Sequence, residues 1–338
     1  MDTHPHSDRG PAASPSERFT VSPDSYRVVV AVALVLLSTI VVTGALVRLS
    51  GSGLGCSDWP NCTDQRLVQF GNPNQTIEQV NRLFTGLVSI AVIAAVLGSL
   101  RRRPYRRDLV WLSWGLVAGV LAQIVLGGIT VLVHLHPIAV AGHFVVSMFL
   151  VGDAVVLLWR CGQPIGRREP VVGRADVLIS RAAVVAMCAL LLTGPAVTGS
   201  GPHAGDRSAQ RFGWTLPDVT RVHSINMWIF LALVTVLLVR LARSGSPGPV
   251  LARGSRLLVA IVVQGGIGYL QYELGIPTWL VTLHIAGATT VAGLTIWFHL
   301  GLSAPAERAV TSLDAAARGG RPRRADRDAR ATVSRHPA

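Results

Sequence analysis

The sequence predicts an all-α integral membrane protein with eight transmembrane helices, arranged as two pseudo-symmetric four-helix bundles from a parallel internal repeat. Three observations predict it. Half of the residues are apolar and only 14% are charged. Uncharged runs at Val28–Val47, Leu83–Leu100 and Leu109–Val133 reach the roughly 20 apolar residues that cross the hydrocarbon of a bilayer. The stretch Thr43–Gly55 (TGALVRLSGSGLG) returns without a gap as Thr193–Gly205 (TGPAVTGSGPHAG), with Thr43/Thr193, Gly44/Gly194, Val47/Val197, Ser50/Ser200, Gly51/Gly201 and Gly55/Gly205 coinciding. No soluble domain of useful size is left over.

Taken in order, residues 1–26 are rich in Pro, Ser and His and lack an apolar signal-peptide core, so they read as a disordered cytoplasmic leader. Helices follow near 27–48, 79–100, 109–132 and 138–159, making an N-terminal bundle over 27–160. A cytoplasmic linker is expected over 161–176. Helices near 177–198, 220–241, 255–272 and 278–300 make a C-terminal bundle over 177–300. Residues 301–338, rich in Ala, Arg and Asp, read as a disordered cytoplasmic tail. The two long outer loops, 49–78 and 199–219, follow the first and fifth helices, as a duplication requires. Each half has an even number of helices, so both start on one side and are related by an axis along the membrane normal.

Every basic residue is Arg, and the sequence pI is about 11.2. Position argues against nucleic acid as the partner. About 25 Arg fall at one set of helix ends and tails and about 6 at the other, which is the positive-inside bias. The dense side includes Arg101, Arg102, Arg103, Arg106, Arg107, Arg160, Arg167, Arg240 and Arg253. Both termini are therefore expected in the cytoplasm, with the lipid bilayer as the main partner. Of the four cysteines, only Cys56 and Cys62 share an outer loop, where disulfides persist. A Cys56–Cys62 bridge is favoured there over two free thiols.

A histidine constellation follows each copy of the repeat, and the two are unequal. His223 opens helix 6 and His284 lies a turn or two into helix 8, so both sit at similar depth below the outer surface. Two histidines on alternate helices of a bundle can grip a planar metal cofactor from both faces. Haem iron with two imidazole ligands has no open position and transfers electrons. A histidine hydrogen-bonded to serine or backbone is the alternative, but an ionisable residue inside a membrane is a functional candidate by default. In the first half His143 corresponds to His284, and Asn81 stands where His223 would be matched. Glu78 is three residues before Asn81 and shares its helix face. It can serve as a base or simply favour the helix N-terminus.

Arg82 and Arg221 sit at outer helix ends as partners for carboxylates through bidentate pairing, with Arg48 a weaker candidate. Gly127-Gly128-Ile129 and Gly265-Gly266-Ile267 look equivalent; each pair suits either close helix packing or space for a flat ligand. His134 and His136 read as surface residues, and His299 as too deep for the same cofactor. Asp153 is expected to bridge Arg181.

On these residues the chain resembles the haem A synthase family of cytochrome oxidase assembly enzymes, in an actinobacterial-type variant. The resemblance runs over about residues 27–300. It is carried by Gly44–Cys62 (GALVRLSGSGLGCSDWPNC), Glu78–Arg82 (EQVNR), the Pro137–His143 turn, Arg221–Met227 (RVHSINM) and Pro277–His284 (PTWLVTLH). It implies a bacterial plasma-membrane oxidoreductase, acting on a CH or methyl group, that converts the C8 methyl of haem O to a formyl group to give haem A. It implies haem b as resident cofactor in the second half, with His223 and His284 on its iron and Arg221 beside it. Haem O would be taken by the first half, with His143, Asn81 and Arg82 binding it and Glu78 as the catalytic carboxylate. Cys56 and Cys62 would be the outer disulfide. Haem O synthase is the expected donor, and self-association is among the expected partners.

Two departures stand out: Asn81 replaces a histidine usual in the family, and the second long outer loop lacks a cysteine pair. The rival readings are a b-type membrane cytochrome, which would hold two stable haems, and a parallel-repeat transporter, which would hold none.

Overall fold

The computed structural model describes residues 20–64 and 66–306. Most of the expected leader and tail lies outside these residues. Eight helices dominate: α1 Pro23–Leu49, α2 Pro73–Arg101, α3 Arg107–Leu132, α4 Pro137–Cys161, α5 Arg174–Ser200, α6 Leu216–Arg243, α7 Gly248–Glu273 and α8 Thr278–Leu300. All eight are long and apolar enough to cross a membrane, and the chain is a multi-pass membrane protein.

Several ends differ from the hydropathy reading. α1 takes Pro23–Tyr26 from the expected leader because Ser22 caps it, accepting from Ser25 N, with Pro at the first helical turn. α2 starts at Pro73 instead of 79 for the same reason: Asn72 accepts from Gln75 N. An Asn or Ser before Pro satisfies a free amide and presets the first turn. The linker and the tail meet: β1 (Arg168–Pro170) pairs antiparallel with β2 (Ser303–Pro305), so residues 303–305 are a strand and not tail.

Within the first half, α1–α2, α2–α3, α3–α4 and α4–α1 pack together, and α5 to α8 repeat the same closed circuit. The halves meet through α4·α8, α1·α8 and α4·α5. This contact is reciprocal. A methyl group at Gly152 of α4 would meet Ile296 of α8 at 3.1 Å, and one at Gly293 of α8 would meet Val155 of α4 at 3.6 Å. Thr289 of α8 lies against Met148 of α4, Oγ1 to Sδ 3.9 Å.

The turns before α4 and α8 also repeat. His134 and Leu135 have φ of 50° and 58°, and Gly275 and Ile276 have 76° and 62°. Leu135 is a buried non-glycine residue held in the left-handed region, a conformation that costs of order 1–3 kcal/mol. It is fixed between Gly53 and Gly205 of the two outer loops, whose backbones join through Gly53 N to Gly205 O at 3.0 Å.

The expected Asp153–Arg181 bridge is absent among the described residues. Asp153 instead lies against Gly115 of α3, and α5 and α6 are joined by the ion pair Asp176–Arg240 at 2.7 Å.

Candidate functional site

The first outer loop folds onto α2 and α3. Cys56 and Cys62 are disulfide-bonded and fully buried. Trp59 lies across Gly128 of α3, where a methyl group would meet the indole at 2.7 Å. Gly128 is therefore a seat for the loop, and the ligand-space reading of that position gives way to packing.

Glu78 anchors the same loop. Its Oε2 accepts from Cys56 N at 2.8 Å, and its Oε1 accepts from Arg82 Nε at 3.0 Å and Nη2 at 2.7 Å. The pair follows from helix geometry, since residues four apart lie on one face. Arg82 also donates to the carbonyls of Asn61 and Asp58, at 3.1 and 3.2 Å. Four of the five N–H groups of its guanidinium are thus directed at Glu78 and the loop. Glu78 is 6% exposed, so a carboxyl group with three hydrogen-bond donors on it is buried where the loop meets the first turns of α2.

Gly55 lets this loop approach. A side chain there would run into the backbone of Asn74 and Gln75, with the Gln75 amide at 2.7 Å. Backbone cannot yield, so Gly55→Ala must shift Cys56 away from Glu78, at a cost of about 1–3 kcal/mol. The expected result is a lower melting temperature in detergent, while Gly213→Ala in the second loop, where the space is open, leaves it unchanged.

In the second half the structure brings His223 and His284 together, with ring centroids 6.4 Å apart and planes at 66°. A metal ion bound to imidazole at ~2 Å on each side places ring centres about 6 Å apart, so the centroid separation matches that of two imidazoles on one iron. Thr193 Oγ1 is 2.9 Å from His223 Nδ1. His284 Nδ1 is buried without a partner among the described residues.

The first half is laid out alike. His143 is the seventh residue of α4, as His284 is of α8. A methyl group at Gly127 would touch His143 Cε1 at 3.5 Å, and one at Gly268 would touch His284 Cε1 at 3.0 Å. A methyl group at Gly44 would meet Asn81 Nδ2 at 3.9 Å, and one at Gly194 would meet His223 Cε1 at 3.7 Å. Gln123 Nε2 donates to His143 O at 2.9 Å, and Gln264 Nε2 to His284 O at 2.8 Å.

These pairs correct the sequence register. Gly127 is equivalent to Gly268 and Gln123 to Gln264, so the Gly-Gly-Ile triplets are offset by one helical turn and are not counterparts. Gly265 faces Met227 instead. The repeated glutamines were missed because that triplet set the alignment.

Of the remaining candidates, Arg48 donates to Thr198 O at 3.1 Å, its own counterpart in the repeat. Its Nε is buried without a partner among the described residues. Arg221 is an exposed rim residue, 3.7 Å from Asp218. His299 Nδ1 meets Ser180 Oγ at 2.8 Å, far along α8 from His284. His203 Nε2 lies 2.8 Å from Ile276 O, tying the second outer loop to the α7–α8 turn.

The sequence profile of the COX15-CtaA family, described as cytochrome oxidase assembly protein, matches residues 27–76 and 67–203. Proteins described as haem A synthase are similar over part of their length. That of Lysinibacillus sphaericus is 33% identical over 120 residues, covering 35% of this chain and 38% of the relative. That of Bacillus pumilus is 36% identical over 121 residues, again 35% and 38%. That of Geobacillus kaustophilus is 33% identical over 126 residues, with the same shares. The chain thus matches well under half the length of these relatives. His223 and His284 lie beyond the residues that the family profile matches, so their grouping rests on the sequence pattern and on the geometry of α6 and α8. With the profile spanning more than half of its residues, from α1 to the second outer loop, the chain belongs to the COX15-CtaA family of cytochrome oxidase assembly proteins.

Proposed function

We propose that this chain is a haem A synthase, which oxidises the C8 methyl of haem O to a formyl group in the first half and holds haem b in the second. The observation that carries this reading is the inequality of twin sites. The second half pairs two imidazoles at 6.4 Å, a closed grip suited to a resident group. The first half offers His143 and Asn81 at the equivalent places, an open grip suited to a molecule that enters, reacts and leaves. The contact circuits within α1–α4 and α5–α8 support two bundles related by the repeat. The Arg distribution supports cytoplasmic termini in a bacterial plasma membrane.

His223 and His284 would hold haem b, with Arg221 at the rim of its propionates; when bound, haem b supplies one-electron transfer. His143 would face the iron of the substrate, with Asn81 as a hydrogen-bonding neighbour. Methyl oxidation to an aldehyde removes four electrons and four protons per water incorporated, by way of the alcohol and a gem-diol that loses water, and requires an electron acceptor outside this chain to take up the electrons. Positive charge develops on the carbon beside the macrocycle at each oxidation. Glu78 answers it in either of two ways: its carboxylate stabilises that charge, or it accepts a proton at Oε2 from the incoming oxygen. Arg82 and the Cys56 amide hold the carboxylate in one orientation, so little reorganisation accompanies reaction. Haem O synthase is the proposed donor, and a homo-oligomer the proposed assembly.

The protein purified in detergent should show a b-type visible spectrum. Haem extracted from it and analysed by mass should contain haem b together with haem O, its alcohol or haem A. A colourless protein, or two equivalents of haem b alone, would overturn the reading; the second outcome is that of an electron-transfer cytochrome.

A further inference from the structure

Thr193 belongs to the sequence repeat, with Thr43 as its counterpart, yet the two hydroxyls have different surroundings. Thr43 Oγ1 donates weakly to Ile40 O at 3.4 Å. Thr193 Oγ1 lies 3.0 Å from Ala189 O and 2.9 Å from His223 Nδ1. A hydroxyl has one proton. That proton has the carbonyls of Ala189 at 3.0 Å and Leu190 at 3.4 Å within reach, and both only accept. A neutral imidazole that gives its Nε2 lone pair to iron carries its proton on Nδ1, and Thr193 Oγ1, with its own proton on a carbonyl, is the acceptor 2.9 Å away. The hydroxyl also holds the ring from one edge, while Gly194 leaves the ring room: a methyl group there would touch His223 Cε1 at 3.7 Å. Neither His143 nor His284 has such an acceptor; each Nδ1 is buried and unpartnered among the described residues.

We infer that Thr193 is a positioning residue for His223, fixing its tautomer and ring plane so that Nε2 is presented to the iron of the resident haem. This rests on the haem b reading of the second half. An imidazole whose other nitrogen donates a hydrogen bond is more basic and favours the more highly charged ferric iron. The two axial ligands are then unequal, one oriented from behind and one not. The Thr43 position has no such use in the first half, since Asn81 has no ring nitrogen to orient.

The test replaces Thr193 by Val, which keeps the shape and removes the acceptor, and by Ser, which keeps it. The readouts are the midpoint potential of the bound haem, its low-temperature electron paramagnetic resonance spectrum, and its retention during purification. Thr193→Val is expected to raise the potential, change the axial signature and weaken retention by about 10-fold or more. A tenfold loss specific to the ferric form corresponds to about 59 mV for one electron. Thr193→Ser is expected to match the wild-type spectrum and potential, and so is Thr43→Val. Wild-type potential and spectrum in Thr193→Val would overturn the inference. If the valine protein does not accumulate, Thr193→Ala makes the same comparison, and a wild-type potential there overturns it equally. Full haem b in His223→Ala would instead overturn the underlying assignment of the second half.

Discussion

Glu78→Gln is expected to stop haem A accumulation while haem b in the purified protein stays at the wild-type level. Glutamine keeps the shape and can still accept from Cys56 N through its amide oxygen, so the loop anchor at 2.8 Å has a substitute. What is lost is charge. Removing one electrostatic stabiliser from a site that excludes water typically costs on the order of 10²–10³ in rate, and no other carboxylate pairs with Arg82 among the described residues. The same change strands the Arg82 guanidinium, whose side chain is only 21% exposed. Breaking one partner of a buried pair destabilises by about 3–5 kcal/mol, so a folding defect must be separated from a chemical one. Glu78→Gln combined with Arg82→Gln removes both charges. The double variant is expected to regain stability, to keep haem b and still to lack haem A. Normal haem A in the single variant would sink the catalytic assignment of Glu78. Recovery of haem A in the double variant would reduce Glu78 to a loop anchor.

Most spans were legible as uncharged runs long enough for a bilayer, whereas α4 carries Asp153 within it and the uncharged run of α7 is confined between Arg256 and Glu273. Their ends were less so, since hydropathy fades before a helix stops. Asn72-Pro73 was a readable cap, but the polar turn that follows it hides α2 from a hydropathy scan. The His223/His284 pair was legible through matched depth on alternate helices. The Glu78–Arg82 pair was also within reach, at a spacing of four residues, yet reading each against a different partner separated them. Thr193 stood inside the most obvious repeat of the chain. Its role was hidden because sequence shows that Thr43 and Thr193 are alike, whereas only structure shows that one faces a histidine. The Arg48–Thr198 and Gly53–Gly205 contacts join counterpart segments across the two halves. A repeat in sequence does not say whether its copies touch.

His223→Ala and His284→Ala are each expected to strip most haem b from the purified protein, and His143→Ala to leave it in place. The two rings at 6.4 Å form a grip in which each imidazole supplies one of two axial bonds. Losing either removes a bond outright, an effect larger than the about 10–100-fold typical of changes in outer-shell partners. The fold should tolerate both substitutions. In His223→Ala the Thr193 proton still has Ala189 O at 3.0 Å, and in His284→Ala no side-chain bond is lost, because Nδ1 had no partner among the described residues. Haem loss without a large fall in melting temperature would therefore report ligation and not collapse.

Asn81→His supplies the complementary test. It places an imidazole against Gly44 as His223 lies against Gly194, giving the first half a second ligand at the equivalent position. A closed grip holds what an open one releases, so this variant is expected to purify with more haem O or its oxidation products per haem b than the wild type. Full haem b in both second-half variants, together with its loss in His143→Ala, would exchange the roles of the two halves.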